Sequence, residues 1–307
     1  MRGFRTDLAM ECITEENVHI EGVQVNTHQI GDIKHTRIRI DSESAAEALK
    51  RKCGQYITVE YPDLPRYDTE KKKLLVKLIA QAVRTLLPEE GDILVVGLGN
   101  RNVTADALGT RVVERLLVTR HLRQAMADEL RTKLRGVSAI APGVLGLTGI
   151  ETAELARGLV AHVKPAAVIA IDALAAFESE RICTTIQITD TGIEPGSGVG
   201  NHRLGLTAET LGVRVIAVGV PMVVYASTIA RDAMARLINE YGLFEPGHEE
   251  ATEQLLRQVS EGFLGDMVVT PREIDELVLN VADLLSDGIN QALQPAIDTD
   301  TLHTYMH

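Results

Sequence analysis

Apolar and polar positions along this 307-residue chain change period several times, and each change marks an element. From Ile33 to Ile40 they alternate, with Ile38 and Ile40 on one face and Arg37 and Arg39 on the other, which predicts a half-buried strand. Asp41 or Ser42 is placed to cap a short helix running to Lys50. Tyr56 to Val59 reads as a second strand, and Tyr61-Pro62-Asp63-Leu64-Pro65 breaks what precedes it. Leu74, Leu75, Leu78, Ile79, Ala82, Val83, Leu86 and Leu87 then recur on one helical face until Pro88, Glu89 and Glu90 stop it. Residues 1–30 are mixed and acidic, with no strong period.

Further on the chain alternates between strands and helices. Asp92 to Gly97 is a continuous apolar strand of the kind covered on both sides in a parallel sheet. A helix over 106–118 would bury Leu108, Val112, Val113, Leu116 and Leu117, and Glu151 to His162 forms another through Leu155, Leu159 and Val160. Strands are predicted at 167–171, 183–188 and 213–220, followed by a helix over 227–240 with Ile229, Ala233, Leu237 and Ile238 inward. Residues 242–250 read as a loop. Thr270 and Glu273 form a capping box around Pro271, opening a helix that extends to about Leu293, with a frayed tail beyond Pro295. Apolar strands separated by helices predict an α/β fold, a layered, mostly parallel sheet covered by helices on both faces. We expect one α/β domain over 1–307, with a mixed N-terminal extension over about 1–66 and a C-terminal helical segment over about 250–294.

Composition narrows the function classes. With 45% hydrophobic and 24% charged residues the chain is an ordinary globular protein. Its formal charge of −12 repels phosphate backbones, so no direct nucleic-acid binding is expected, and Lys71 to Lys73 fit a solvated helix face. Cys12, Cys53 and Cys183 are odd in number, far apart and in no metal-ligand spacing, which suits reduced thiols in a cytosolic protein. The first residues carry no apolar signal core and no apolar run reaches membrane-spanning length, so the expected location is cytoplasmic, with no membrane contact.

Candidate chemistry lies at strand ends. Gly97-Leu98-Gly99 is half of a dinucleotide fingerprint, but Asn102 stands where the third glycine belongs, so a sharp turn off the strand explains these glycines better. Asp106 follows that turn. It is suited either to catalysis or, with Thr104 as cap, to stabilising the first turn of a helix. Asp172 directly follows the apolar strand 167–171, facing the crevice where α/β proteins bind ligands; a structural hydrogen-bonding role is the alternative. The glycine-rich stretch from Asp190 to Arg203 has the makings of a site wall, and its His202 is either a surface residue, a metal ligand or a proton shuttle.

These stretches resemble the germination protease family of spore-forming bacteria. The resemblance is carried by Phe4-Arg5-Thr6-Asp7-Leu8-Ala9, by Val95-Val96-Gly97-Leu98-Gly99-Asn100 through Asp106-Ala107-Leu108-Gly109, and by Val118-Thr119-Arg120-His121-Leu122. It continues through Ala141-Pro142-Gly143-Val144-Leu145-Gly146, Ile171-Asp172-Ala173-Leu174, Gly196-Ser197-Gly198-Val199-Gly200-Asn201 and Val269-Thr270-Pro271-Arg272-Glu273-Ile274-Asp275. It implies a fold similar to that of hydrogenase maturation proteases, a homotetramer, and an endopeptidase that initiates degradation of small acid-soluble spore proteins at germination. It further implies cleavage after an acidic residue and before an apolar one, in the forespore or spore core. The two essential aspartates of the family fall on Asp106 and Asp172.

Two departures stand out. Only Met1 to Phe4 precede Arg5, so zymogen control by a removable propeptide is expected to be absent or to work differently. Met222 and Tyr225 stand where Thr and Asp are expected. Without a Ser or Cys nucleophile, hydrolysis needs an activated water and an acid for the leaving amine, and two carboxylates sharing a proton supply both. That route requires no cofactor. The alternative is a divalent metal ion held by Asp106, Asp172 and, as in the related maturation proteases, a histidine, for which His202 is the candidate. Rival functions are a metal-dependent maturation-type protease and a non-catalytic binding protein of the same fold.

Overall fold

The computed structural model describes residues 6–14, 17–122, 134–194, 204–241, 264 and 267–297. Its strands are β1 (Val23–Ile30), β2 (Ile33–Ile40), β3 (Gly54–Glu60), β4 (Ile93–Gly97), β5 (Val137–Ile140), β6 (Ala167–Ala176), β7 (Thr185–Thr189), β8 (Arg214–Tyr225) and β9 (Val268–Val269). The first eight line up in the order β1-β2-β3-β7-β8-β6-β4-β5, and β9 pairs with β8. The layered α/β expectation holds, but the sheet is mixed rather than mostly parallel. Neighbours among β8, β6, β4 and β5 are parallel, whereas β1, β2, β3 and β7 pair antiparallel and β7 joins β8 antiparallel. A short connection accounts for the direction of the β1–β2 pair, whereas β7 runs antiparallel to β8 across the long connection over 190–213. Gly31-Asp32 joins β1 to β2 as a hairpin, while parallel neighbours need a long crossover.

The helices are α1 (Glu43–Leu49), α2 (Thr69–Leu86), α3 (Leu108–Val113), α4 (Leu145–Thr148), α5 (Thr152–Val163), α6 (Ala208–Leu211), α7 (Ala226–Tyr241) and α8 (Ile274–Leu293). Ser42, not Asp41, caps α1, accepting from the Ala45 amide at 3.2 Å, and Asp68 caps α2 through the Lys71 amide at 2.8 Å. No helix among the described residues is long and apolar enough to cross a membrane.

Strand periodicity distributes the core over two faces. Ile93, Val95, Ile169, Ile171, Ile188 and Val218 meet α2, α3 and α8 in one continuous apolar cluster. Each fully buried Leu or Ile there contributes about 1.5–3 kcal/mol. Their sheet neighbours Leu94, Val96, Val168 and Ala170 pack on the opposite face with Ala156 of α5 and Leu211 of α6. Farther across that face, Ile38, Ile40, Tyr56, Leu174 and Ala176 meet α1 and Leu8-Ala9-Met10 as a separate cluster. Between these two clusters along β6 stands Asp172.

Several expectations are corrected. The helix predicted over 106–118 is a 3-10 turn, Thr104–Asp106, followed by the shorter α3. The strand expected to end at residue 171 continues to Ala176, because its upper half pairs with β8, itself longer than predicted. Thr270 and Glu273 form no capping box; the Thr270 hydroxyl donates to the Met222 carbonyl at 2.9 Å, which ties the chain to β8 instead. In α7, Ile229, Ala233 and Leu237 are exposed, against the expectation, and among the described residues of the helix Ala226 and Thr228, at its start beside β8, are buried. The loop over 242–250, the stretch 195–203 and the tail beyond residue 297 lie outside the described residues.

Candidate active site

The site is built where β4 stops and β6 carries on. The strands run parallel in register up to Gly97 opposite Ile171, and the Leu98 amide adds a last bond to the Ile171 carbonyl at 2.8 Å. There the chain turns away. Gly99 has a φ of +96°, and a Cβ on it would lie 1.8 Å from the Asp106 carbonyl oxygen, so only glycine fits this turn. Gly109, at the start of α3, is equally constrained: a Cβ would come within 2.3 Å of the Ile171 carbonyl oxygen. The glycines thus serve close backbone packing, which presses the Asp106 turn onto the end of β4.

Asp106 closes that turn. Its Oδ2 accepts from the Asn100 amide at 2.7 Å, and its own amide donates to the Val103 carbonyl at 2.8 Å. Thr104 is not the cap, since its hydroxyl donates to Asp275 Oδ1 at 2.8 Å, while Asp106 stands in the first turn of the 3-10 segment and holds that turn through the Asn100 amide. Asp172 is the first residue of β6 beyond the reach of β4. It is 6% exposed, lies opposite Gly219 of β8, and accepts the Ala173 amide on Oδ1 at 2.9 Å. Both carboxylate residues line one cleft of about 400 Å³. The apolar residues Val103, Val144, Val223 and Val268 also line it.

Two further acids border this cleft, Asp7 and Glu194. Asp7 is fixed by β6 on both sides of its own residue: its amide donates to the Ala175 carbonyl at 3.0 Å, and its Oδ2 accepts from the Ala175 amide at 2.8 Å. Gln187 of β7 completes the clamp by donating to the Asp7 carbonyl at 3.0 Å and accepting from the Ala9 amide at 2.7 Å. Glu11 anchors the next turn on the amides of Phe177 and Glu178, at 2.9 and 2.8 Å, and accepts from the Thr6 hydroxyl. Burial outweighs these hydrogen bonds and raises its carboxyl above the usual glutamate value. Sequence reasoning missed Asp7 as a site residue. Its only signal was the Arg5-Thr6-Asp7-Leu8-Ala9 stretch, a polar run that no periodicity placed near a strand end.

His202 lies outside the described residues, as does most of the glycine-rich stretch around it. Among the described residues no group of three or more His, Cys, Asp or Glu side chains is arranged to hold a metal ion. The donors the site does supply, Asp106 and Asp172, are hard oxygen ligands. Met222 is fully buried in the core and Tyr225 nearly so; between them Val223 lines the cleft, and neither Met222 nor Tyr225 does. Met222 is also the extra residue of a bulge, since Leu174 pairs with Pro221 and Ala175 with Val223. Cys183 packs beside it, and burial pushes its thiol up to about 12, the reverse of what a nucleophile needs.

A layered α/β protein with an acid-lined cleft at the carboxyl end of a parallel strand is the class that these features define. The germination protease family model matches residues 5–245 and 241–306, and the chain belongs to that family of peptidases. It is 44% identical to the germination protease of Caldanaerobacter subterraneus subsp. tengcongensis, over 99% of this chain and 98% of that protein. Against the germination protease of Clostridium tetani the identity is 40%, over 99% of both chains. Against that of Bacillus cereus it is 38%, over 99% of this chain and 97% of the relative. Among solved structures, the [NiFe] hydrogenase maturation protease HycI from Thermococcus kodakarensis KOD1 aligns with 67% of this chain and 97% of its own. That alignment has 17% identity and a TM-score of 0.33.

Proposed function

We propose that this peptidase is an endopeptidase that initiates the degradation of small acid-soluble spore proteins at germination. It cuts after an acidic residue and before an apolar one, through water activated by the Asp106 and Asp172 pair. The observation that carries the reading is that the two carboxylate residues, distant in sequence, line one cleft beside the end of β4. Family membership supplies the support for the substrate, for the cut site, for a homotetramer and for work inside the spore compartment.

Two carboxylates in one partly desolvated cleft oppose full ionisation, so the pair holds one proton between them. The ionised partner takes a proton from water as oxygen attacks the scissile carbonyl. The protonated partner gives its proton to the leaving amide nitrogen. The amide donors at Asn100 and Ala173 keep each carboxylate in place through this exchange. If a divalent ion is used, Asp106, Asp172 and His202 are the residues that would hold it, and it would supply a polarised carbonyl and an acidified water.

The test is cleavage of a purified small acid-soluble spore protein by the parent and by Asp172→Asn and Asp106→Asn, with products located by mass spectrometry. We expect cuts after acidic residues from the parent and none from either variant, with circular dichroism unchanged. Cuts that ignore the preceding acid, or variants that retain parent rates, would sink the reading. Activity that falls on chelation and returns with one metal would move the mechanism to the ion.

A further inference from the structure

Beside the two carboxylates the cleft exposes a short length of sheet edge that no strand among the described residues fills. Backbone groups along β6 alternate in direction. Ile171 turns its carbonyl towards the β4 side, where it receives the Leu98 amide, and Ala175 turns both of its backbone groups the same way, where they meet Asp7. Ala173 lies midway between them and shares their parity, so its amide and carbonyl also point away from β8. On that side β4 has already ended, its ladder stopping at Gly97 opposite Ile171. The Ala173 amide bends back to Asp172 Oδ1 at 2.9 Å, which leaves its carbonyl as the backbone group of this rung directed at the cleft. Ala173 is accordingly half-buried, whereas its neighbours Asp172 and Leu174 are buried.

We propose that the Ala173 carbonyl is the docking rung for the substrate backbone: an extended peptide segment enters the sheet where β4 leaves it and donates one N–H to this oxygen. This rests on the peptidase reading of the cleft and adds how the substrate is held. The opening has defined ends. Leu98 closes it below and Asp7 above, and the four residue steps from Ile171 to Ala175 span about 13 Å at the rise of a strand. Only a few residues of extended chain fit that length, and a helical segment does not, because its amides are already bonded along its own axis. A peptide on this rung has its backbone one residue from Asp172, so the same contact that binds it also brings its carbonyls to the carboxylates. Strand addition of this kind draws affinity from main-chain bonds and leaves side-chain choice to the flanking walls, here Val103, Val144, Val223 and Val268. Asp7 then acts as a positioning residue that blocks further zippering along β6 and sets the register.

An ester scan tests this. In a peptide that the parent enzyme cuts, each backbone amide near the scissile bond is replaced in turn by an ester, which removes the N–H and keeps the shape. For every member, kcat/KM is measured with the parent protein, and affinity is measured by fluorescence anisotropy with Asp172→Asn. We expect one position to lose about tenfold or more in both while the residues on either side change little. In carbonyl-labelled protein, the Ala173 carbonyl resonance should shift with the parent peptide and not with that ester. A parent peptide that is cut with no position standing out, or an Ala173 resonance that responds equally to both peptides, overturns the docking rung and leaves the peptidase reading intact. A parent peptide that is never cut defeats the peptidase reading instead, and the anisotropy series still decides the rung: a single sensitive amide upholds it, and a flat series or no binding overturns it.

Discussion

Between α2 and α8, acidic side chains meet a lysine; at the carboxyl end of β4 and along β6, Asp106 and Asp172 meet backbone amides. Lys72 Nζ lies 2.6 Å from Asp283 and 2.8 Å from Asp287, the latter 4% exposed. Burial works against the lysine charge, but hydrogen bonds to the two carboxylates outweigh it and raise Lys72 above the ordinary lysine value. Tyr67 packs over the same group, its hydroxyl bonded to the Asn280 carbonyl at 3.0 Å, and burial pushes it up to about 12. This arrangement fastens α2 to α8 over a continuous apolar cluster. Across the sheet the cover is divided into two clusters with Asp172 between them, and the amides of Asn100 and Ala173 position Asp106 and Asp172. Burial alone therefore does not mark the acids of the proposed site: Asp287 is as buried as Asp172, and what differs is that Asp172 lines the cleft whereas Asp287 lies under α2.

The sharpest way to break the comparison is to exchange the fates of the two acids. Asp172→Asn should reduce peptide hydrolysis about a thousandfold or more with little change in thermal unfolding. Asp287→Asn should leave the activity per folded molecule near that of the parent and lower the unfolding temperature. If Asp287→Asn abolished hydrolysis without destabilising the chain, the division between the faces would be wrong. Next in size is Lys72→Met, which removes the ammonium that buried Asp287 meets at 2.8 Å and should cost about 3 kcal/mol in urea unfolding. Adding Asp287→Leu should recover much of that loss, and a double variant no better than the single one would deny the pairing.

A smaller effect is expected at the N-terminal clamp. Because burial raises Glu11 above the ordinary value of 4.5, its contribution to stability is full below that pH and is lost as pH rises through the folded value. Stability measured from pH 4.5 upward should therefore fall less steeply in Glu11→Gln than in the parent. An unchanged slope would show that Glu11 titrates as it does in the unfolded chain. The least perturbing probe is alkylation. Cys53 is exposed and Cys183 buried with its thiol pushed up to about 12, so iodoacetamide should label Cys53 in the native protein and Cys183 only after unfolding. Equal labelling would mean that the core around Met222 opens readily.

The placement of Asp106 and Asp172 near strand ends is legible in the sequence because each follows an unmistakable apolar run, and such runs need no partner to be recognised. The same reasoning placed α2 and α8, whose stripes of Leu, Ile and Val repeat over many turns. It failed on β1, which is half-buried at Val23 and Val25 and exposed over its second half, so its order comes from backbone pairing with β2 and leaves no apolar period. It failed on β5 for a related reason, since four residues are too few to show one.

What the chain by itself determined is therefore the set of strongly apolar elements, the two aspartates after them, and the resemblance carried by its motifs. Tertiary structure decided the rest. Pairing with β8 extended β6 past Asp172, so that the aspartate stands inside one strand and just beyond the end of its neighbour. The bonds from Asp7 and Gln187 to distant partners brought an unpatterned N-terminal segment to the cleft. Local sequence encodes which residues leave water, because transfer free energy is a property of each side chain. It does not encode which edge remains open or which carboxylates come to share a cleft, because those depend on hydrogen-bond partners many residues away.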